Sequence, residues 1–166
     1  MRVPTRRGEE QALRKNDPFI TTDKYLELKK KLENLKKSHP VAAEEVKRLA
    51  ELGDFSENAE YQLAKGKLRG INQRMLEIEY VLNHSQIILP NENFATVQLG
   101  HTVTLLSDGK ERKFKILGSS ETNPSFGVIS QHSPLGLAIL GKKVGDIVKI
   151  ELANKRIMEY KILKIE

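Results

Sequence analysis

The chain has 166 residues, 39% of them hydrophobic and 30% charged, with a formal net charge of +6 and a pI near 9.4. It contains no cysteine, no tryptophan and only 5% aromatics, which excludes disulfides, iron–sulfur clusters and thiolate zinc sites and argues against an aromatic platform for single-stranded nucleic acid. Its apolar runs fall far short of the ~20 residues of a membrane-spanning helix, and the positive charge divides evenly, +3 in residues 1–90 and +3 in residues 91–166, a balance that favours an acidic or nucleoprotein partner.

Residues 1–20 are polar and basic, with Arg2, Arg6, Arg7, Arg14 and Lys15, and end at Asp17-Pro18. They show no apolar periodicity and Met1–Asp17 holds no apolar h-region, so a flexible arm is expected rather than a secretory signal. Its charge suits an acidic partner.

Residues 21–88 read as an antiparallel coiled-coil hairpin. Tyr25, Leu28, Leu32, Leu35, Ala42, Val46 and Leu49 follow a heptad seam, with His39 in the one skipped slot, and Tyr61, Ala64, Leu68, Ile71, Met75, Ile78 and Leu82 form a second, unbroken seam. Folded back, the seams match in one constant register: Leu49 meets Tyr61, Ala42 meets Leu68, Leu35 meets Met75 and Leu28 meets Leu82. That register places the turn at Phe55, beside Gly53, a natural helix terminator. Two helices of roughly 28 residues at 1.5 Å rise make a thin rod of ~40 Å. Pro40 predicts a kink or short break near residues 38–40, with His39 partly exposed there rather than ligating a metal.

The turn carries Gly53-Asp54-Phe55-Ser56-Glu57-Asn58-Ala59-Glu60-Tyr61, three carboxylates with no base among them. Asp54 stands three residues before Glu57, which is capping-box spacing at a helix start. The same two carboxylates can hold a hard Mg²⁺ ion that keeps most of its waters and takes its remaining ligands from a partner. Just beyond, Lys65, Lys67, Arg69 and Arg74 form a basic run with no acid until Glu77. Lys65, Lys67 and Arg74 flank the seam, where bases ordinarily pair with acids of the opposite helix; the run also suits a phosphate backbone lying beside the rod.

Residues 89–166, entered through Asn91 and Asn93 after Pro90, have strand grammar. Val103-Thr104-Leu105 and Phe114-Lys115-Ile116 alternate around the turn Ser107-Asp108-Gly109, and Gly127-Val128-Ile129 is a short apolar run. Ser133-Pro134 opens a short helix as N-cap and first helical residue, closed by Gly141. Two last strands, 146–152 and 156–165, flank the turn Ala153-Asn154-Lys155. The fold class is therefore α+β: a helical hairpin followed by a small α+β domain.

The turn motif resembles that of the bacterial GreA/GreB transcript-cleavage factors, whose signature is Gly-Asp-x-x-Glu-Asn-Ala-(Asp/Glu)-Tyr. It is similar to the GreB branch in Leu52-Gly53-Asp54, Ser56-Glu57-Asn58-Ala59, Tyr61-Gln62 and the four bases. Ile129-Ser130, Ser133-Pro134, Leu140-Gly141 and Val144-Gly145-Asp146 resemble the family's FKBP-like C-terminal domain. The chain departs from the family in Ala50-Glu51-Leu52, where Arg-Glu-His or similar is frequent, and in Gly136-Leu137, where Ala-Arg is frequent.

The resemblance implies a monomeric cytoplasmic factor that is not itself an enzyme. Such a factor enters the secondary channel of bacterial RNA polymerase and stimulates the polymerase's own hydrolysis of backtracked RNA. It implies that Asp54 and Glu57 hold a Mg²⁺ ion shared with the polymerase, supported by Asn58 and Glu60. Lys65, Lys67, Arg69 and Arg74 would hold the RNA 3′ segment, and Ser133, Pro134 and Leu135 would dock on the polymerase. The alternative is a regulatory channel binder that blocks without cleaving. A prolyl isomerase or peptide-binding module would need an aromatic-lined cleft, and Phe94, Phe114, Phe126 and Tyr160 are scattered.

Overall fold

Two long helices, α1 (Thr22–Glu51) and α2 (Ala59–His84), dominate the first half of the computed structural model, which describes residues 17–51, 59–89, 92–151 and 155–166. Asp23 in the first turn of α1 and Arg48 in its last complement the helix dipole. Every seam position named above is buried or half-buried, and Leu32, Ala42, Leu49, Ile71 and Ile78 are under a tenth exposed. Cross-helix partners run in opposite directions: Lys36 Nζ lies 2.8 Å from Glu79, and nearer the helix ends the charge of Lys67 acts on Glu45 and that of Glu60 on Arg48. The helices are thus antiparallel, in the register the seams predict.

The break expected at residues 38–40 does not form, because α1 runs unbroken through Pro40. Pro40 is exposed and removes one backbone donor, leaving the Lys36 carbonyl without its helical partner. Ser38 Oγ meanwhile donates to the Leu35 carbonyl at 3.0 Å. Burial of the seam on both sides outweighs the local penalty, as tertiary packing commonly does for amphipathic helices. His39 is half-buried.

The described residues divide into two compact units, 22–85 on one side and 17–21 with 86–166 on the other. This differs from boundaries at 20/21 and 88/89. Strand β1 (Phe19–Ile20) pairs in parallel with β2 (Gln86–Ile87), Phe19 opposite Gln86 and Ile20 opposite Ile87, and Ile20 is 1% exposed. The Asp17 side chain, also 1% exposed, accepts hydrogen bonds from the Phe19 amide, the Ser119 amide and hydroxyl, and Gln131 Nε2. The Thr21 amide and hydroxyl both donate to the Glu121 carboxylate. Residues 17–20, expected in the arm, therefore belong to the C-terminal unit; residues 1–16 lie outside the described part.

That unit is built on a five-stranded sheet ordered β5-β4-β3-β7-β6, with β3 (Thr102–Ser107), β4 (Lys110–Leu117), β5 (Val128–Ser130), β6 (Ile147–Glu151) and β7 (Ile157–Ile165). Only β4–β5 is parallel. Asp108 and Gly109 both take positive φ, as a two-residue hairpin turn requires. Helix α3 (Pro134–Ile139) starts as expected, with Ser133 Oγ accepting from the Gly136 amide at 3.0 Å. It sends Ile139 into a core of Val97, Val103, Leu105, Ile116, Ile129, Val148, Ile162 and Ile165. The architecture is α+β, as the sequence predicts.

Candidate functional site

Asp54, Glu57 and Asn58 lie outside the described residues, which flank them with the end of α1 and the start of α2. Leu49, 3% exposed, ends the seam of α1, and half-buried Tyr61 begins the seam of α2. This pairing brings the two helix ends together on either side of residues 52–58. Glu60 is exposed in the first turn of α2, where a carboxylate favours the helix N-terminus.

One turn back from the tip, charge is organised across the two helices. Arg48 donates to Glu45 through both Nε (3.0 Å) and a terminal nitrogen (2.8 Å), a two-point clasp. These hydrogen bonds hold the Glu45 carboxyl below its ordinary range, with Lys67 of α2 adding a weaker pull. Glu45 in turn raises Arg48, and Glu60 adds to that from α2. Of this cross-helix group, Lys67 and Glu60 were expected site residues, whereas Glu45 and Arg48 were not, although the heptad register that sets Leu49 against Tyr61 also sets Glu45 near Lys67.

The four bases of α2 are all exposed, and the structure does not bring them to one face. Lys65 and Arg69 are one turn apart on one side, whereas Lys67 and Arg74 are two turns apart on the other. Lys65 Nζ sits 5.8 Å from the centre of the Tyr61 ring, within cation–π range. Of the expected docking residues, Ser133 is engaged as the N-cap of α3 and donates to the Ser130 carbonyl at 2.7 Å, and Leu135 packs against the core. Pro134 is exposed, as is the neighbouring Leu137.

Among the described residues no helix is long and apolar enough to cross a membrane. Asp54 and Glu57, three residues apart in the sequence, are hard-oxygen donors of the kind Mg²⁺ takes.

Family comparisons agree with this organisation. Residues 18–87 match the family described as transcription elongation factor, N-terminal, and residues 91–166 match transcription elongation factor, GreA/GreB, C-term. The chain belongs to the GreA/GreB transcription elongation factor family. A Thermotoga petrophila protein named transcription elongation factor GreA is 38% identical over 149 residues, which is 88% of this chain and 95% of that protein. One of the same name from Nautilia profundicola is 42% identical over 146 residues, 85% of this chain and 89% of that protein. The solved structure of GreA factor homolog 1 (Gfh1) from Thermus thermophilus is 24% identical, covers 90% of this chain and 99% of that chain, and superposes with a TM-score of 0.42; so loose a likeness adds nothing to the family relation. These relatives carry the GreA name, so the leaning of the turn motif toward the GreB branch finds no support in them.

Proposed function

We propose that this chain binds RNA polymerase in its secondary channel and stimulates the polymerase's intrinsic cleavage of backtracked RNA. The hairpin would present Asp54 and Glu57 to the reacting phosphodiester, and the polymerase would remain the enzyme. What supports the reading is that the family's acidic signature falls, in sequence, between two antiparallel helices whose seam positions from Leu28 to Leu82 are buried or half-buried. A rigid lever of this kind can deliver a carboxylate pair to a fixed point, and positioning is most of what such assistance requires.

Asp54 and Glu57 would hold a Mg²⁺ ion shared with the polymerase; when bound, the ion supplies Lewis-acid polarisation of the phosphate and a more acidic water. This chain's own residues do the rest. The two carboxylates orient the attacking water, Glu60 and Asn58 steady them, and the basic run of α2 draws in the RNA 3′ segment. The exposed surface around Pro134 would meet the polymerase. The family relation of the named GreA proteins supports a GreA-type product, whereas the turn motif favours GreB.

The deciding experiment adds the protein to stalled, backtracked elongation complexes and resolves the released RNA on a gel. Stimulated release is expected, and Asp54→Ala or Glu57→Ala should reduce it by about 100-fold or more while polymerase binding is retained. Polymerase binding with no RNA release by the unaltered protein would replace this reading with that of a blocking factor. Product length on the same gel separates the two branches.

A further inference from the structure

The Asp17 carboxylate is withdrawn from water and ringed by donors. Its Oδ1 accepts from the Phe19 amide at 3.1 Å and from Gln131 Nε2 at 3.0 Å. Its Oδ2 accepts from the Ser119 amide at 3.0 Å and the Ser119 hydroxyl at 3.2 Å, and His132 Nε2 lies 3.6 Å from the same oxygen. These four hydrogen bonds occupy both oxygens of a group that can only accept. Asparagine in its place would turn an N–H group toward one pair of donors.

The row of hydrogen bonds continues beyond Ser119. Its hydroxyl lies 2.9 Å from Ser130 Oγ, and Ser130 Oγ lies 3.1 Å from the His132 amide. A carboxylate, which only accepts, stands at one end, and an amide N–H, which only donates, stands at the other. The hydroxyl hydrogens between them are therefore aligned: His132 N–H donates to Ser130, Ser130 to Ser119 and Ser119 to Asp17. Bonds in such a chain polarise one another. Buried Ser130 is tied on its other side too, because its carbonyl accepts from the Ser133 amide at 3.0 Å and the Ser133 hydroxyl at 2.7 Å. Ser133 Oγ in turn caps α3 through the Gly136 amide. A Cβ on Gly136 would stand 2.2 Å from the Ser130 carbonyl oxygen, so the first turn of α3 is pressed against Ser130. His132, Pro134 and Leu137 are left exposed.

We infer that Asp17 is a positioning residue for polymerase docking: through Gln131, Ser119 and Ser130 it fixes the turn at residues 130–134 and with it the exposed surface around Pro134. This rests on the proposed function. Asp17 stands 114 residues from Gln131 in the chain and just before residues 18–87, which match the family's N-terminal description. The Ser133 cap sets where α3 begins, but a turn held only by its own bonds can shift as a unit. Asp17, on a separate segment, supplies the second fixed point. A surface ordered in advance spares the cost of ordering it on binding, so loss of Asp17 weakens affinity and leaves the chemistry at the hairpin turn untouched.

The test uses the full-length protein and reads RNA release from backtracked polymerase complexes against factor concentration. Asp17→Ala should raise the half-saturating concentration by about tenfold and keep release at saturation, since the charge-assisted bonds are lost at the docking surface alone. Ser130→Ala cuts the row in its middle with the carboxylate still in place, and should raise it by about fivefold. The double variant should stay near tenfold instead of the ~50-fold of two independent losses, because both act on one row. Glu121→Ala removes the partner of the Thr21 amide and hydroxyl on the same segment, and should leave half-saturation unaltered. Where Asp17→Ala is unfolded by circular dichroism, Asp17→Asn takes its place with the same expected order of effects. Unaltered half-saturation in the Asp17 and Ser130 variants, independent losses in the double variant, or a Glu121 variant as weak as the Asp17 one overturns the inference. An unaltered protein that neither binds the polymerase nor releases RNA defeats the proposed function. Hydrogen exchange at the His132 amide of the free protein then decides the fastening separately: faster exchange in Asp17→Ala but not in Glu121→Ala upholds it, and equal exchange in all three proteins ends it.

Discussion

In the hairpin, the five side chains under a tenth exposed, Leu32, Ala42, Leu49, Ile71 and Ile78, lie in single file between two helices. In the C-terminal unit, Val103, Ile116, Ile139 and Ile162 are 0% exposed and enclosed by sheet, helix and loop together. A side chain in the seam has neighbours on two sides only, so removing it opens the site to water instead of leaving a sealed cavity. The contrast shows a division of labour: one unit is thickly packed, whereas the other gives up enclosure for a long polar surface on which charge can be arranged.

The sharpest way to break that contrast is to truncate one residue in each unit. Ile162→Ala should destabilise the C-terminal unit by about 4 kcal/mol, with transfer and cavity terms both in force. Ile71→Ala should cost the hairpin about 2 kcal/mol, at the low end of the same series. Calorimetry that resolves the two units would read both, and equal losses would mean the seam is as enclosed as the core.

Next in size is Gly118→Ala. A Cβ there would stand 1.8 Å from the Phe19 carbonyl oxygen, a backbone atom that cannot turn aside. The expected cost is about 3 kcal/mol, borne by the C-terminal unit. Hydrogen exchange should speed at the Ile88 amide, which donates to the Ile20 carbonyl. Protection unchanged at Ile88 would mean that residues 17–21 do not depend on Gly118.

In the hairpin the effect of a backbone change has the opposite sign. Pro40→Ala restores a helical donor at an exposed position, and should stabilise the hairpin alone by about 2 kcal/mol, seen as a higher melting temperature of that unit. The smallest effects are those of exposed charge. Lys36→Ala should cost about 0.5 kcal/mol.

Glu45 titrates below its ordinary 4.5 when folded, chiefly through Arg48. Its contribution is present above that value and fades as pH falls through the lowered folded value. Glu45→Gln should therefore flatten the acid side of the hairpin's melting curve, and an unchanged acid limb would show that the clasp does not persist in solution.

The heptad seams made the two helices and their antiparallel register legible, because a period of 3.5 has one reading over so many turns. The β3–β4 turn and the cap of α3 were legible for the same kind of reason: Asp108-Gly109 and Ser133-Pro134 act within a few residues of themselves. What local pattern could not carry was long-range pairing. Asp17 looks like the end of a polar arm until Ser119 and Gln131 stand beside it. Pro40 predicted a break because local propensity is blind to the seam that holds α1 through it. At the candidate site, the motif named the acids and the bases, but which bases share a side depends on following both flanks through the register, and that separates Lys67 from Lys65.

The parallel pair of β1 and β2 has one further consequence. The chain leaves the C-terminal unit after Ile20 and returns to it at Gln86, directly alongside, so the whole hairpin is an excursion from a closed base. With Phe19 paired opposite Gln86 and Asp17 and Thr21 bonded to Ser119, Gln131 and Glu121, the ends of the excursion are tied by contacts of the C-terminal unit and not by the helices themselves. The entropy of bringing distant segments into proximity, which grows only as the logarithm of loop length, is then already settled by the other unit. Refolding of the helices becomes a local zipping event, and the base does for the hairpin what a crosslink does elsewhere. Opening that base by substitution in β1 should slow recovery of helix after a temperature jump, with every seam residue still in place.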